Sequence, residues 1–279
     1  MTTLKQEPTQ SIECYLKDQL QLPQALDKLR SEYQQAKPFK HLVMDNIFPT
    51  SLIENVTQEI PSMNGDNWVH QEDENLVKYN LRSVVQLREN GAKLVALLHS
   101  GTFLYFLSEV TEIWELLPDP YLQGAGFHLL PNNGKFNVHV DRNTAYETGL
   151  VRRLAMIIYL NKEWKHEYGG QLELWNADGS RCETVIEPTF NRTVIFEINH
   201  HNYHGVPPVT CPKERTRNSF AVYYHTAATN SEKQIAPHTS IYGPRAYQND
   251  GVSFRKIVKD VTPPFLLRGI KAVGRKMQH

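Results

Sequence analysis

The chain has 279 residues, with 30 Lys plus Arg against 30 Asp plus Glu and 40% hydrophobic residues, a composition that supports a buried core and excludes a chain that coats nucleic acid by bulk charge. Its longest apolar run, Leu154 to Leu160, is far shorter than a membrane span, and its start, MTTLKQEPTQ, lacks the basic and apolar stretches of a secretory signal. Cys14, Cys182 and Cys211 form no CxxC pair, which points away from a disulfide framework or a zinc ribbon and towards a cytoplasmic protein with no transmembrane segment and no nucleic-acid partner.

In chain order, Leu22, Leu26, Leu29 and Tyr33 recur at helical spacing and predict a helix over 22–36, closed by Pro38. HLVMDNIF (41–48) is a short apolar run, and Pro49-Thr50-Ser51 offers a helix start into LIENVTQEI. Residues 102–117 predict a longer helix that Pro118 and Pro120 close. The texture then changes. YLQGAGFHLL, FNVHV, RLAMIIYL, GGQLELW, CETVIEP, TVIFEI and SFAVYYHT are short runs rich in β-branched and aromatic residues, separated by turn formers. The expected fold is therefore α+β with a mainly β core, one domain over 1–279: helical support to about 118, a sandwich or barrel over about 121–227, and an extension over 228–279.

In FNVHVD, His139 and Asp141 are two apart and share one face of a strand, as two ligands of one ion must. A third ligand has to come from elsewhere, and INHHNYHGVPPV supplies His200, His201 and His204. Two imidazoles and one carboxylate on one face of a metal leave its other face open, an arrangement that suits ferrous iron in oxygenases.

The ordered segments HVD, RRLAMIIYLNKEW, YGGQLELW, NRTVIFEINHHNYHGVPPV and RTRNSFAVYY resemble the prolyl-4-hydroxylase-like branch of the iron(II)/2-oxoglutarate-dependent dioxygenases. The resemblance implies a double-stranded β-helix (jelly roll) and makes His139, Asp141 and His204 the iron ligands. It implies iron(II), 2-oxoglutarate and dioxygen, with ascorbate as a candidate reductant, and no catalytic residue beyond the metal centre. The carboxylate of Asp141 argues for hydroxylation over the halogenation of relatives that carry a small residue there.

The distal carboxylate of 2-oxoglutarate needs a cationic, bidentate partner, and Arg215 and Arg217 are the candidates. Arg217 stands six residues before Tyr223, as the family's arginine stands before an aromatic, and Ser219 follows on the same face of the strand. The resemblance adds Tyr159 as a third contact to that carboxylate. Arg152, Asn137, Asn143 and Trp175 are the substrate-binding candidates near the expected mouth, and 231–251 is either a lid or a packed surface loop. The expected acceptor is a small or carrier-linked metabolite hydroxylated at an unactivated C–H with release of succinate and CO2. The alternatives are a peptidyl proline and a non-catalytic jelly-roll binding protein.

Charge is unevenly spread. From Glu232 to His279 nine Lys/Arg face three acids, leaving the tail at +6 and the rest at −6. PFLLRGIKAVGRKMQH at its end predicts a basic amphipathic helix that docks on the domain or meets an anionic partner.

Overall fold

The computed structural model describes residues 23–243, apart from 82 and 147, together with 247. The chain separates into two compact units, Met1–Ala246 and Tyr247–His279, and every element named below lies in the first. The basic helix expected at 263–279 lies outside the described residues.

In order, the elements are α1 (Pro23–Gln35), β1 (His41–Asp45), α2 (Thr50–Gln58), β2 (Trp68–Glu72), β3 (Leu76–Leu81), α3 (Glu89–Leu98) and α4 (Gly101–Thr111). They continue with β4 (Leu117–Pro118), β5 (Gly126–Leu130), β6 (Lys135–Val140), β7 (Val151–Tyr159) and β8 (Leu172–Trp175). β9 (Cys182–Ile186), β10 (Arg192–Glu197), β11 (His204–Val206), β12 (Arg217–Thr226) and β13 (Ile241–Tyr242) complete the unit. All the ladders are antiparallel, in the order β1-β10-β7-β12-β5-β3-β6-β11-β8-β9. This sheet curls into a double-stranded β-helix, the jelly roll that the resemblance implies. Among the described residues no single helix is long and apolar enough to cross a membrane.

Period-two alternation builds both faces of the sheet. On β7, Leu154, Met156 and Ile158 join Phe220, Val222 and Tyr224 of β12 in the core beneath the helices, where Phe103, Phe106 and Leu107 of α4 meet them. The intervening residues Ala155 and Tyr159 point the other way, into a second core with Leu172, Leu174, Val194 and Phe196. On β12 the same alternation sends Arg217, Ser219, Ala221 and Tyr223 to the cavity. One face of each strand thus holds the helices while the other forms the site.

The N-terminal part differs from the helical support expected there. It contributes β1 to β4 as well as helices, and β2 pairs with β3, which in turn pairs with β5 and β6. The helix expected over 102–117 ends at Thr111, because Glu112 adopts a left-handed conformation (φ 60°) and its N–H closes on the Ser108 carbonyl. α3, which the sequence reading missed, starts on a carboxylate from the residue that caps another helix. Glu59, just past α2, accepts from the backbone N–H groups of Asn90 and Gly91 at 2.9 and 2.8 Å, satisfying donors that a helix start leaves free.

Candidate metal centre

β6 and β11 are neighbours, and their pairing makes His139 and His204 Cα partners although the two stand 65 positions apart in sequence. Their ring centres are 4.4 Å apart. Asp141, just past the end of β6, turns one carboxylate oxygen to within 3.4 Å of His139 Nε2 and the other to within 3.8 Å of His204 Nε2. All three residues are buried, and their donor atoms lie within 4.8 Å of one another.

The tautomers follow from the backbone. His139 Nδ1 is 2.8 Å from the Asn137 carbonyl and His204 Nδ1 is 3.2 Å from the Asn202 carbonyl. A carbonyl only accepts, so each Nδ1 carries the proton and each Nε2 presents a lone pair, the arrangement found in metal-binding histidines. His139 Nε2 is buried with no hydrogen-bond partner. Burial, reinforced by the neighbouring His139, lowers His204 to about 4, so it is neutral at physiological pH. Burial opposes ionisation of Asp141, but His204 and His139 outweigh it and hold the carboxyl well below its usual range. Two imidazoles and one carboxylate result, a donor set able to hold one divalent ion.

Beside these donors lies a cavity of about 60 Å³, lined in part by Arg217, Ser219, Ala221 and Tyr223. Arg217 is 3% exposed; its Nε donates to the Gly170 carbonyl at 2.7 Å and its Nη2 to the Tyr159 hydroxyl at 3.3 Å. Among the described residues no carboxylate pairs with it. Arg215, the other candidate, donates instead to the Lys162 carbonyl at 2.7 Å. The Gly169-Gly170 pair explains part of this geometry. Both have positive φ, and a Cβ on Gly170 would stand 2.9 Å from Val209 and 3.3 Å from the Arg217 stem, so glycine alone lets that carbonyl reach the guanidinium without strain.

Of the other candidates, Tyr159 is fully buried with its hydroxyl turned to Arg217. Arg152 donates to the Gln123 carbonyl at 2.6 Å and lies over the ring of Tyr223 at 3.8 Å, with its buried Nε unpartnered. The Asn137 amide binds the loop at Asn75 (3.0 Å) while its carbonyl fixes His139. Trp175 donates to Glu173 at 3.1 Å, and its backbone N–H takes the Tyr203 carbonyl at 2.8 Å. Asn143 pins the 236–238 stretch, donating to Ala236 and accepting from the His238 N–H. His200 meets His238 at 3.1 Å, away from the donor set. Within the segment 231–251, β13 pairs with Val140 and His139 of β6, and Glu232 is ion-paired with Arg153. The sequence reading missed Lys78, His128 and Phe136, all of which line the cavity. A polar residue set singly within an apolar strand run, as in LVKYNL and GFHLL, is the signal that could have found the first two.

The model of the 2OG-Fe(II) oxygenase superfamily matches residues 125–225, the stretch that carries all three donors, Arg217 and Ser219. Over that stretch the chain is similar to the superfamily. Mouse prolyl hydroxylase EGLN3 is 33% identical over 104 residues, which make up 37% of this chain and 40% of the relative. The chain spans two fifths or less of the length of the curated relatives it matches. Two solved structures share the fold. One is a Pseudomonas putida prolyl-4-hydroxylase (TM-score 0.53, 16% identity, 73% of this chain and 100% of that one). The other is a Trichoplax adhaerens prolyl hydroxylase in complex with a hypoxia inducible factor peptide fragment (TM-score 0.55, 14% identity, 78% and 94%). The iron(II) and 2-oxoglutarate that the superfamily's name carries suit the residues gathered here. The donor set is hard and borderline (N, N, O), His139 Nε2 is an orphaned buried acceptor, and Arg217 is a buried cation with no carboxylate partner among the described residues.

Proposed function

We propose that the chain is an iron(II)- and 2-oxoglutarate-dependent hydroxylase whose acceptor is a peptidyl proline. The observation that carries the reading is the convergence of His139, Asp141 and His204 in one cavity with the unpaired cation of Arg217. His139, Asp141 and His204 would hold the iron, and Arg217 with Ser219 the distal carboxylate of 2-oxoglutarate. Of the acceptors open from sequence, the curated relatives named prolyl hydroxylases favour the peptidyl proline over a small or carrier-linked metabolite. The complete donor set disfavours a non-catalytic role.

The bound metal and co-substrate would together activate dioxygen towards an unactivated C–H bond; the protein's part is binding, orientation and exclusion of water. The Asn137 and Asn202 carbonyls hold the two imidazoles in the tautomer that leaves Nε2 free. Asp141 supplies the negative charge that favours a dication. Arg217, held by the Gly170 carbonyl and the Tyr159 hydroxyl, presents its remaining N–H groups to a carboxylate. Ala155, Leu172, Phe196 and Val206 line the rest of the cavity and keep the reacting region dry.

The test incubates the protein with iron(II), 2-oxoglutarate, a pool of proline-bearing peptides and a pool of small metabolites, with mass-spectrometric readout. One oxygen gained on a peptidyl proline with equimolar succinate supports the reading. Oxygen gained only on a small metabolite would overturn the peptide assignment.

A further inference from the structure

Arg217 is not the cavity's single buried cation. Lys78, on β3, also lines it and is 8% exposed. Its Nζ stands 4.8 Å from the centre of the Phe136 ring, and that ring stacks on His139 with centres 3.7 Å apart. The ammonium is therefore one ring away from a metal-binding imidazole, at the metal end of the cavity. Among the described residues no carboxylate lies within ion-pair distance of Nζ. Asp141, the carboxylate of this cavity, faces the two histidines.

Burial lowers Lys78 to about 8, against the pull of Asp141, so the ammonium still predominates at neutral pH. The Phe136 face steadies the cation but does not neutralise it, and a buried charge without a counter-ion is costly. Two such cations in one cavity, one near the metal and one on β12, match a small dianion with a carboxylate at each end.

We propose that Lys78 is a second co-substrate residue, whose ammonium holds the carboxylate at the 2-oxo end of 2-oxoglutarate while Arg217 holds the distal one. This rests on the reading that the cavity takes 2-oxoglutarate, and it adds a charge contact beside the metal that the sequence motifs do not reveal.

The test is calorimetric binding to the Zn(II)-loaded full chain, where no turnover occurs, using 2-oxoglutarate and 2-oxovalerate, which keeps the 2-oxo acid and lacks the distal carboxylate. Lys78→Met is expected to weaken both ligands by about tenfold or more and by similar factors. Arg217→Met is expected to weaken 2-oxoglutarate alone. Zn(II) affinity and melting temperature report whether each variant folds, and Lys78→Gln, which keeps a polar head, serves if the methionine variant does not. Binding of both ligands within about twofold of wild type in the Lys78 variants would overturn the proposal, as would a loss confined to 2-oxoglutarate. A wild-type protein that binds no 2-oxoglutarate would instead sink the underlying reading of the cavity.

Discussion

His139 and His204 are Cα partners across the β6–β11 ladder, with ring centres 4.4 Å apart. Because both Nδ1 atoms are committed to backbone carbonyls, removing either imidazole takes away one of the three donors and leaves the other preset. Ala substitution of His139, Asp141 or His204 is expected to weaken binding of a divalent ion by more than the roughly 10–100-fold that loss of an outer-shell partner costs. Anaerobic calorimetry with iron(II) or manganese(II) checks this; retained affinity in the Asp141→Ala protein would contradict it.

The two candidate arginines differ in surroundings, and that difference is measurable. Arg217→Met is expected to weaken 2-oxoglutarate about 10–100-fold, since charge-assisted hydrogen bonds contribute about 1.5–3 kcal/mol each. Arg215→Ala should leave the affinity within about twofold, because its guanidinium is occupied with the Lys162 carbonyl.

Gly170→Ala couples backbone strain to the same arginine. At φ +69° with Val209 2.9 Å from the added Cβ, the substitution is expected to cost about 1–3 kcal/mol and to move the carbonyl that Arg217 Nε uses. Denaturant unfolding reads the first effect and 2-oxoglutarate affinity the second; both should fall together.

Acid should destabilise the fold through His225. Burial, assisted by Arg152, lowers this histidine from 6.5 to about 4, so between these values the unfolded chain binds the extra proton. Its contribution is complete above about pH 6.5 and is lost as pH falls towards 4, on the order of 3 kcal/mol. Stability of His225→Gln should therefore fall less steeply than wild type over that window, measured by urea unfolding at successive pH values.

The segment after β12 is tied back to β7. Arg153 Nη1 and Nη2 meet the two oxygens of Glu232 at 2.6 and 2.9 Å, and nine residues later β13 pairs beside His139. Glu232→Gln is expected to cost about 1 kcal/mol locally. Amide exchange at Gly243, whose N–H is bonded to the Val138 carbonyl, should speed up accordingly; unchanged exchange would show that the ion pair does not hold this strand.

What the sequence made legible is local in origin. His139 and Asp141 declare themselves because a strand repeats every two residues, and the run FAVYY carries its own alternation. His204 and Arg217 needed the motif order, since a long-range ladder brings them in. Lys78 reaches the cavity only through the pairing of β3 with β5 and β6, which no spacing encodes. The same holds for α3, whose start is fixed by Glu59 from 30 residues upstream. The overlong helix at 102–117 failed because one residue, Glu112, turns left-handed where composition still favoured a helix.

The most direct test of the central claim is an anaerobic titration of 2-oxoglutarate with and without iron(II). The account predicts one site per chain, binding that is strong only with the metal present, and its loss in both His139→Ala and Arg217→Met. Binding that ignores the metal, or that survives in both variants, would contradict it.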